Sequence, residues 1–200
     1  MLIQEVGFEL GPVVGGLTPE ALRPGVVHCT SIIRDLENTA LNPGKFKPDH
    51  ELSAEEVLQL EAYRLMGHLW EDVFSHAFAH HQMIPSRNVV EQESLALDGI
   101  SLTPDAMDIR NWVLEEYKCT WRSSARIANL QEDFWAWFVQ IKAYCYALKC
   151  RKARLFVLFV NNDWAPPKPK PRRFDMEFSE RELEMNWAML VQHRGRMLAQ

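Results

Sequence analysis

What this sequence lacks narrows its identity before any motif does. It has no apolar run near the roughly 20 residues that a membrane span requires; even Leu155 to Val160 is far too short. The opening Met1-Leu2-Ile3-Gln4-Glu5 carries neither the basic region nor the apolar stretch of a signal peptide. The expectation is an intracellular protein, cytoplasmic, or in host cytoplasm if viral. Cysteine is scarce: Cys29, Cys119, Cys145 and Cys150 form no C-x-x-C pair, and none stands beside a histidine at zinc-finger spacing. Reduced thiols packing as small hydrophobes are expected, with no iron–sulfur cluster. A positive balance is missing too. A net charge of −5 excludes a histone-like coat on nucleic acid. It leaves room for a site that clusters carboxylates around divalent cations while a few placed Arg and Lys side chains meet phosphate. No internal repeat is present.

What is there suits one globular domain: 200 residues, 47% hydrophobic and 24% charged, enough to bury a core. Residues up to about Lys47 are rich in Gly and Pro, with one apolar stretch, Val26 to Leu36, read as a helix capped by Thr30 or Ser31. Ser53 and Glu56 fit a capping box, and no proline interrupts the chain from there to Pro85. Apolar residues cover most of that helix's circumference, so it is expected to be largely buried. From Val89 the period falls to two. Leu95 and Leu97 pair with Ile100 and Leu102 around the Asp98-Gly99 turn, and a third strand from Trp112 to Thr120 completes a meander. A long helix is expected from about Ser124 to Cys150, then a buried strand from Arg154 to Val160. A basic Pro-rich linker, Pro166 to Arg173, leads to a strand, Phe174 to Phe178, and a helix capped by Ser179. The fold class is therefore α/β, a mixed central sheet flanked by helices in the order α-β-β-β-α-β. The expected divisions are an N-terminal segment, 1–52, a core, 53–165, and a C-terminal part, 166–200, packed on that core.

The chemistry-bearing residues lie on the third strand. Alternation puts Leu114, Glu116 and Lys118 on one face and Glu115, Tyr117 and Cys119 on the other. Asp105, in the preceding strand, is placed to face Glu116 across the pair. Two carboxylates and an ammonium would then converge, which is what phosphodiester hydrolysis requires: hard oxygen ligands for Mg²⁺ or Mn²⁺ and a positive group beside the attacked phosphate. An isolated E-x-K triplet reads equally well as an ion pair on a solvated face.

Pro104-Asp105, followed by Glu116-Tyr117-Lys118, resembles the PD-(D/E)XK nuclease signature in its own strand context. Gln140-Ile141-Lys142-Ala143-Tyr144 is similar to the Q-x-x-x-Y motif of RecB-like nucleases, and Gly67-His68-Leu69-Trp70-Glu71 resembles that family's first motif. The likeness covers about Ala54 to Val160. It implies a restriction-endonuclease-like core, with Asp105, Glu116, Glu71 and the Tyr117 backbone carbonyl as metal ligands. Lys118 would position or deprotonate the attacking water. Gln140 and Tyr144, one turn apart, would buttress Lys118 or touch the DNA backbone; the alternative is a helix-surface pair. His68 is either a metal-shell or a structural histidine. His76 and His80, at i and i+4, lack an evident third ligand and read as helix-surface residues. The cysteine pattern departs from the cluster-bearing relatives and favours the phage-type exonucleases.

Arg122 and Arg126, after the E-x-K strand, are candidates for phosphate contacts, as are Ser31 and Arg34 near the N-terminus. The resemblance implies DNA as substrate, action in phage-type recombination or replication, a homo-oligomer that starts at DNA ends, and a single-strand annealing protein as partner. The alternatives are a structure-specific endonuclease and a non-catalytic DNA-binding or assembly module.

Overall fold

The computed structural model describes residues 25–44, 46–47, 51–81, 89–91, 94–165, 168–169 and 171–199; side chains of residues 71–81, 89–91, 162–165 and 168–169 are outside the description. A short strand, β1 (Val27–His28), runs directly into helix α1 (Cys29–Leu36). The cap lies ahead of the expected Thr30 or Ser31: the His28 ring accepts the Thr30 N–H, an imidazole nitrogen serving where a hydroxyl usually does. The last turn widens into a π-helical segment, Glu37–Leu41.

The long helix α2 (Ala54–His81) opens on the expected capping box, with Ser53 and Glu56 bonding each other's backbone N–H. Its expected burial does not hold. Leu58, Leu69, Leu60, Tyr63, Val57 and Leu65 are all exposed. The reason is its placement: α2 packs against β6, and among the described residues these side chains are left about half uncovered.

The following strands are β2 (Val89–Glu91), β3 (Leu95–Leu97), β4 (Ile100–Leu102), β5 (Ala106–Asp108) and β6 (Val113–Thr120). Asp98 and Gly99 both take positive φ, as a two-residue type I′ turn requires, and β3 pairs with β4 as expected. The meander then breaks. β4 joins β1 and β3 in a small separate sheet, whereas β6 pairs with β5. Pro104 lies at the break, where a residue without an N–H interrupts the ladder and lets the chain change sheets.

The expected helix from Ser124 to Cys150 is also interrupted. Ser123 caps a 3-10 turn, Ser124–Arg126; Asn129 caps a short α3 (Leu130–Asp133); Phe134 leaves helical geometry; and α4 runs Trp135–Ala147. The Asn129 side chain starts a new helix by accepting the Gln131 and Glu132 N–H groups, a competition that the apolar periodicity does not reveal.

The chain finishes with β7 (Lys152–Phe159), α5 (Val160–Asp163), a minor hairpin of β8 (Trp164–Ala165) and β9 (Lys168–Pro169), then β10 (Arg172–Glu177) and α6 (Glu180–Leu198). Ser179 and Glu182 form the capping box of α6.

The main sheet has the order β10-β7-β6-β5-β2, with β6 and β7 parallel and the other pairs antiparallel. Alternation along β6 and β7 divides the core. Leu114, Leu155 and Val157 pack with Ile32 of α1, Ile141 of α4, and Leu183 and Leu190 of α6. Ala106, Tyr117 and Phe156 face the other way, against Trp70 of α2. The expected mixed α/β architecture is thus observed, with α1, α4 and α6 on one face and α2 on the other. Among the described residues no helix is long and apolar enough to cross a membrane.

Candidate active site

β6 is the axis of the site. The β5–β6 register pairs Ala106 with Glu115, so one step further Asp105 stands opposite Glu116. Asp105 lies in the bend that enters β5, not within a strand, and the buried Pro104 fixes the approach. Its Oδ2 accepts the Tyr117 N–H at 2.7 Å. A residue's N–H and C=O point to the same edge of an extended strand, so the Tyr117 carbonyl also faces Asp105. Lys118 Nζ donates to Glu116 Oε1 at 2.6 Å. The two carboxylates and the ammonium are therefore brought together as the alternation requires.

Burial pushes the Asp105 carboxyl above its ordinary pKa; the Lys118 charge, the Tyr117 N–H and the nearby His68 each pull it back. Glu116 is fully buried, and the Lys118 side chain is 20% exposed, enough to present its ammonium at the surface of the site. The Cys29 thiol, at the start of α1, is raised to about 12 by burial and then by the charge of Glu116. The α1 layer thus closes the back of the carboxylate.

On α4, Gln140 Nε2 donates to Tyr144 Oη at 2.7 Å, and both side chains are buried. Burial raises the Tyr144 hydroxyl well above its ordinary pKa, the Glu116 charge adds to that, and the Gln140 bond opposes it. The helix-surface reading of this pair therefore fails, and Tyr144, 1% exposed, is closed to the DNA backbone. The pair stands behind Glu116. His68 is near enough to influence Asp105 although it is largely exposed. Glu71 lies on α2 one turn later; its side chain, like those of His76 and His80, falls outside the described residues.

The opposite face of β6 holds a second cluster that sequence reasoning missed. Arg154 Nη1 donates to Asp108 Oδ2 at 2.9 Å and to Glu115 Oε1 at 3.0 Å. Tyr117 Oη donates to Glu115 Oε2 at 3.0 Å, while Asn111 donates to both Asp108 oxygens. Asp108 and Glu115 are fully buried. The available signal was a lone Arg in the apolar strand, facing away from Leu155.

The cationic candidates are scattered. Arg122 is held by the Asp133 carboxylate and carbonyl, both at 2.8 Å, and lies over the Phe134 ring. Arg126 is exposed on the 3-10 turn. Ser31 and Arg34 are exposed on α1, beside a cavity of about 360 Å³ that they share with Asn38 and Lys47.

Among the described residues no three His, Cys, Asp or Glu side chains converge as a complete metal cage. The donor set nevertheless fits a hard divalent cation. Asp105 and Glu116 offer carboxylate oxygens, the Tyr117 carbonyl faces the same edge, and Asp105 Oδ1 accepts no hydrogen bond from the described residues.

No family model matches this sequence, and no curated protein is significantly similar to it. Solved structures are similar. An alkaline exonuclease from Laribacter hongkongensis aligns with a TM-score of 0.53 at 14% identity, covering 88% of this chain and 90% of that one. The same enzyme in complex with dAMP aligns with a TM-score of 0.53 at 16% identity, covering 88% and 91%. A phage-related exonuclease from Haemophilus somnus 129PT is similar over 84% of this chain at 12% identity, with a TM-score of 0.44. This chain shares the fold of the alkaline exonuclease.

Proposed function

We propose that this chain is a Mg²⁺- or Mn²⁺-dependent DNA exonuclease of the phage type, serving recombination or replication. The observation that carries the reading is the meeting of Asp105, Glu116 and Lys118 at one edge of β6. Asp105, Glu116, the Tyr117 carbonyl and Glu71 would hold the cation. When bound, such a cation supplies Lewis-acid polarisation of the phosphate and activation of water. Lys118 places a positive charge where negative charge builds at the attacked phosphate. Gln140 and Tyr144 fix the Glu116 side of the site from behind. Residues 53–165 are the nuclease core in this reading, with 1–52 and 166–200 built around it and DNA contacts at Ser31, Arg34, Arg122 and Arg126.

A cytoplasmic homo-oligomer acting on DNA ends, alongside a single-strand annealing protein, completes the proposal. Support for the oligomer comes from the uncovered apolar side of α2, where Leu58 and Leu69 are 55% and 51% exposed. The test compares end-labelled linear duplex with closed circular duplex in Mn²⁺, with and without excess EDTA, for the wild type and Asp105→Ala. Shortening of linear DNA from an end, abolished by EDTA and by the substitution, is expected. Undiminished cleavage in EDTA or in Asp105→Ala refutes the reading; rapid cutting of closed circles turns it into an endonuclease.

A further inference from the structure

Beyond Lys118, β6 ends at a feature that the hydrolytic site does not use. Tyr63 of α2 and Trp121, just past β6, face each other with ring centroids 6.3 Å apart and planes tilted by 49°. Both are exposed, at 44% and 46%. With Met66, Cys119, Thr120 and Arg122 they line a cavity of about 350 Å³, within the size range of small-ligand pockets. A second cavity of about 600 Å³ shares Trp121 and Arg122 and continues past Ser123 and Ala125 to Arg126 and Asn161, so the two form one trough. The Asn161 side-chain amide donates to the Trp121 carbonyl, which holds the indole's backbone in place.

The charged side chains that line this trough are arginines, of which Arg122 is paired with the Asp133 carboxylate at 2.8 Å. Arg126 makes no ion pair among the described residues, Arg122 stands at the junction of the two cavities, and Arg172 bonds the Ser124 hydroxyl at 2.9 Å on the same turn. Exposed rings flanked by arginines are the composition that stacks nucleobases while tracking their phosphates. Among the described side chains of α2, the other exposed apolar positions are aliphatic, Val57, Leu58, Leu60, Leu65 and Leu69. Aromatic and cationic groups coincide at the trough.

We propose that the Tyr63–Trp121 cleft is a stacking subsite for one unpaired nucleobase of the strand being cut, with Arg122 and Arg126 along the adjoining phosphates. The proposal rests on the nuclease reading and adds to it a fixed register. A strand advances about 3.3 Å per residue, which sets Trp121 about 10 Å beyond Lys118. The base held there therefore lies within a few nucleotides of the scissile phosphate.

The test uses a series of oligonucleotides, each with one abasic position moved stepwise from the cleaved bond. Binding is measured in Ca²⁺ to hold turnover down, and cleavage in Mn²⁺. The wild type is expected to lose about tenfold in affinity at one register position only. Trp121→Ala and Tyr63→Ala should bind intact DNA about tenfold more weakly and lose that position dependence; Trp121→Phe should keep most of both. Both positions are exposed, so the variants are expected to unfold thermally as the wild type does. A wild type that cleaves DNA with no abasic-sensitive position overturns the subsite and leaves the hydrolytic assignment standing. A wild type that neither binds nor cuts DNA overturns the functional reading and the subsite with it. If the alanine variants instead lower the mass in solution and leave the abasic step unchanged, the cleft is a contact between copies and the proposal falls.

Discussion

The two faces of β6 carry nearly the same ingredients arranged to opposite ends. On one, Arg154 sits between Asp108 and Glu115, and all four carboxylate oxygens take donors from Arg154, Asn111 or Tyr117. On the other, Asp105 and Glu116 meet Lys118, and Asp105 commits only Oδ2 to the described residues. A planar guanidinium bridging two carboxylates makes a closed, rigid knot. A lysine with a partly exposed head leaves carboxylate oxygen for an incoming cation. Which residues are charged says little about function; how fully their oxygens are used by the protein itself says more. The faces are also coupled, because Tyr117 gives its N–H to Asp105 and its hydroxyl to Glu115.

The largest effect that would separate the faces is on turnover. Lys118→Ala is expected to cut the rate of hydrolysis by about 10²–10³, typical of removing a charge aimed at the transition state, with a much smaller change in DNA affinity. Single-turnover kinetics beside a binding titration read both; equal losses in rate and affinity would erase the distinction.

Arg154→Ala is expected to lower folding stability by about 3–5 kcal/mol, because it leaves Asp108 and Glu115 buried without their cation. Urea unfolding measures it. A loss within about 0.5 kcal/mol, the range of ordinary surface changes, would mean that the knot is not structural.

Smaller still is Tyr144→Phe, which removes the acceptor of Gln140 inside the core and should cost about 1–3 kcal/mol. Arg126→Ala, exposed and remote from both faces, should leave stability unchanged and flatten the slope of log affinity against log salt by about one unit. An unchanged slope makes it an ordinary surface charge.

Much of this was legible in the sequence because it depends on local rules. Alternation placed Glu116 with Lys118, one-turn spacing placed Gln140 with Tyr144, and two capping boxes fixed the starts of α2 and α6. What was not legible depends on competition or on distant partners. Pro104 moved β4 into another sheet, Asn129 divided a helix that periodicity alone extends, and Arg154 found Asp108 and Glu115 across two strand boundaries. The exposure of α2 was misjudged for a related reason: a helix apolar all round reads as buried, but the sequence does not say against what.

The most direct measurement sets the two glutamates side by side: cleavage of end-labelled linear duplex in Mn²⁺ by the wild type, Glu116→Gln and Glu115→Gln, at a temperature where all three are folded. The account predicts that Glu116→Gln is inactive with its stability little changed, while Glu115→Gln is less stable and still cuts. Cleavage by Glu116→Gln at the wild-type rate, or loss of cleavage confined to folded Glu115→Gln, would contradict it.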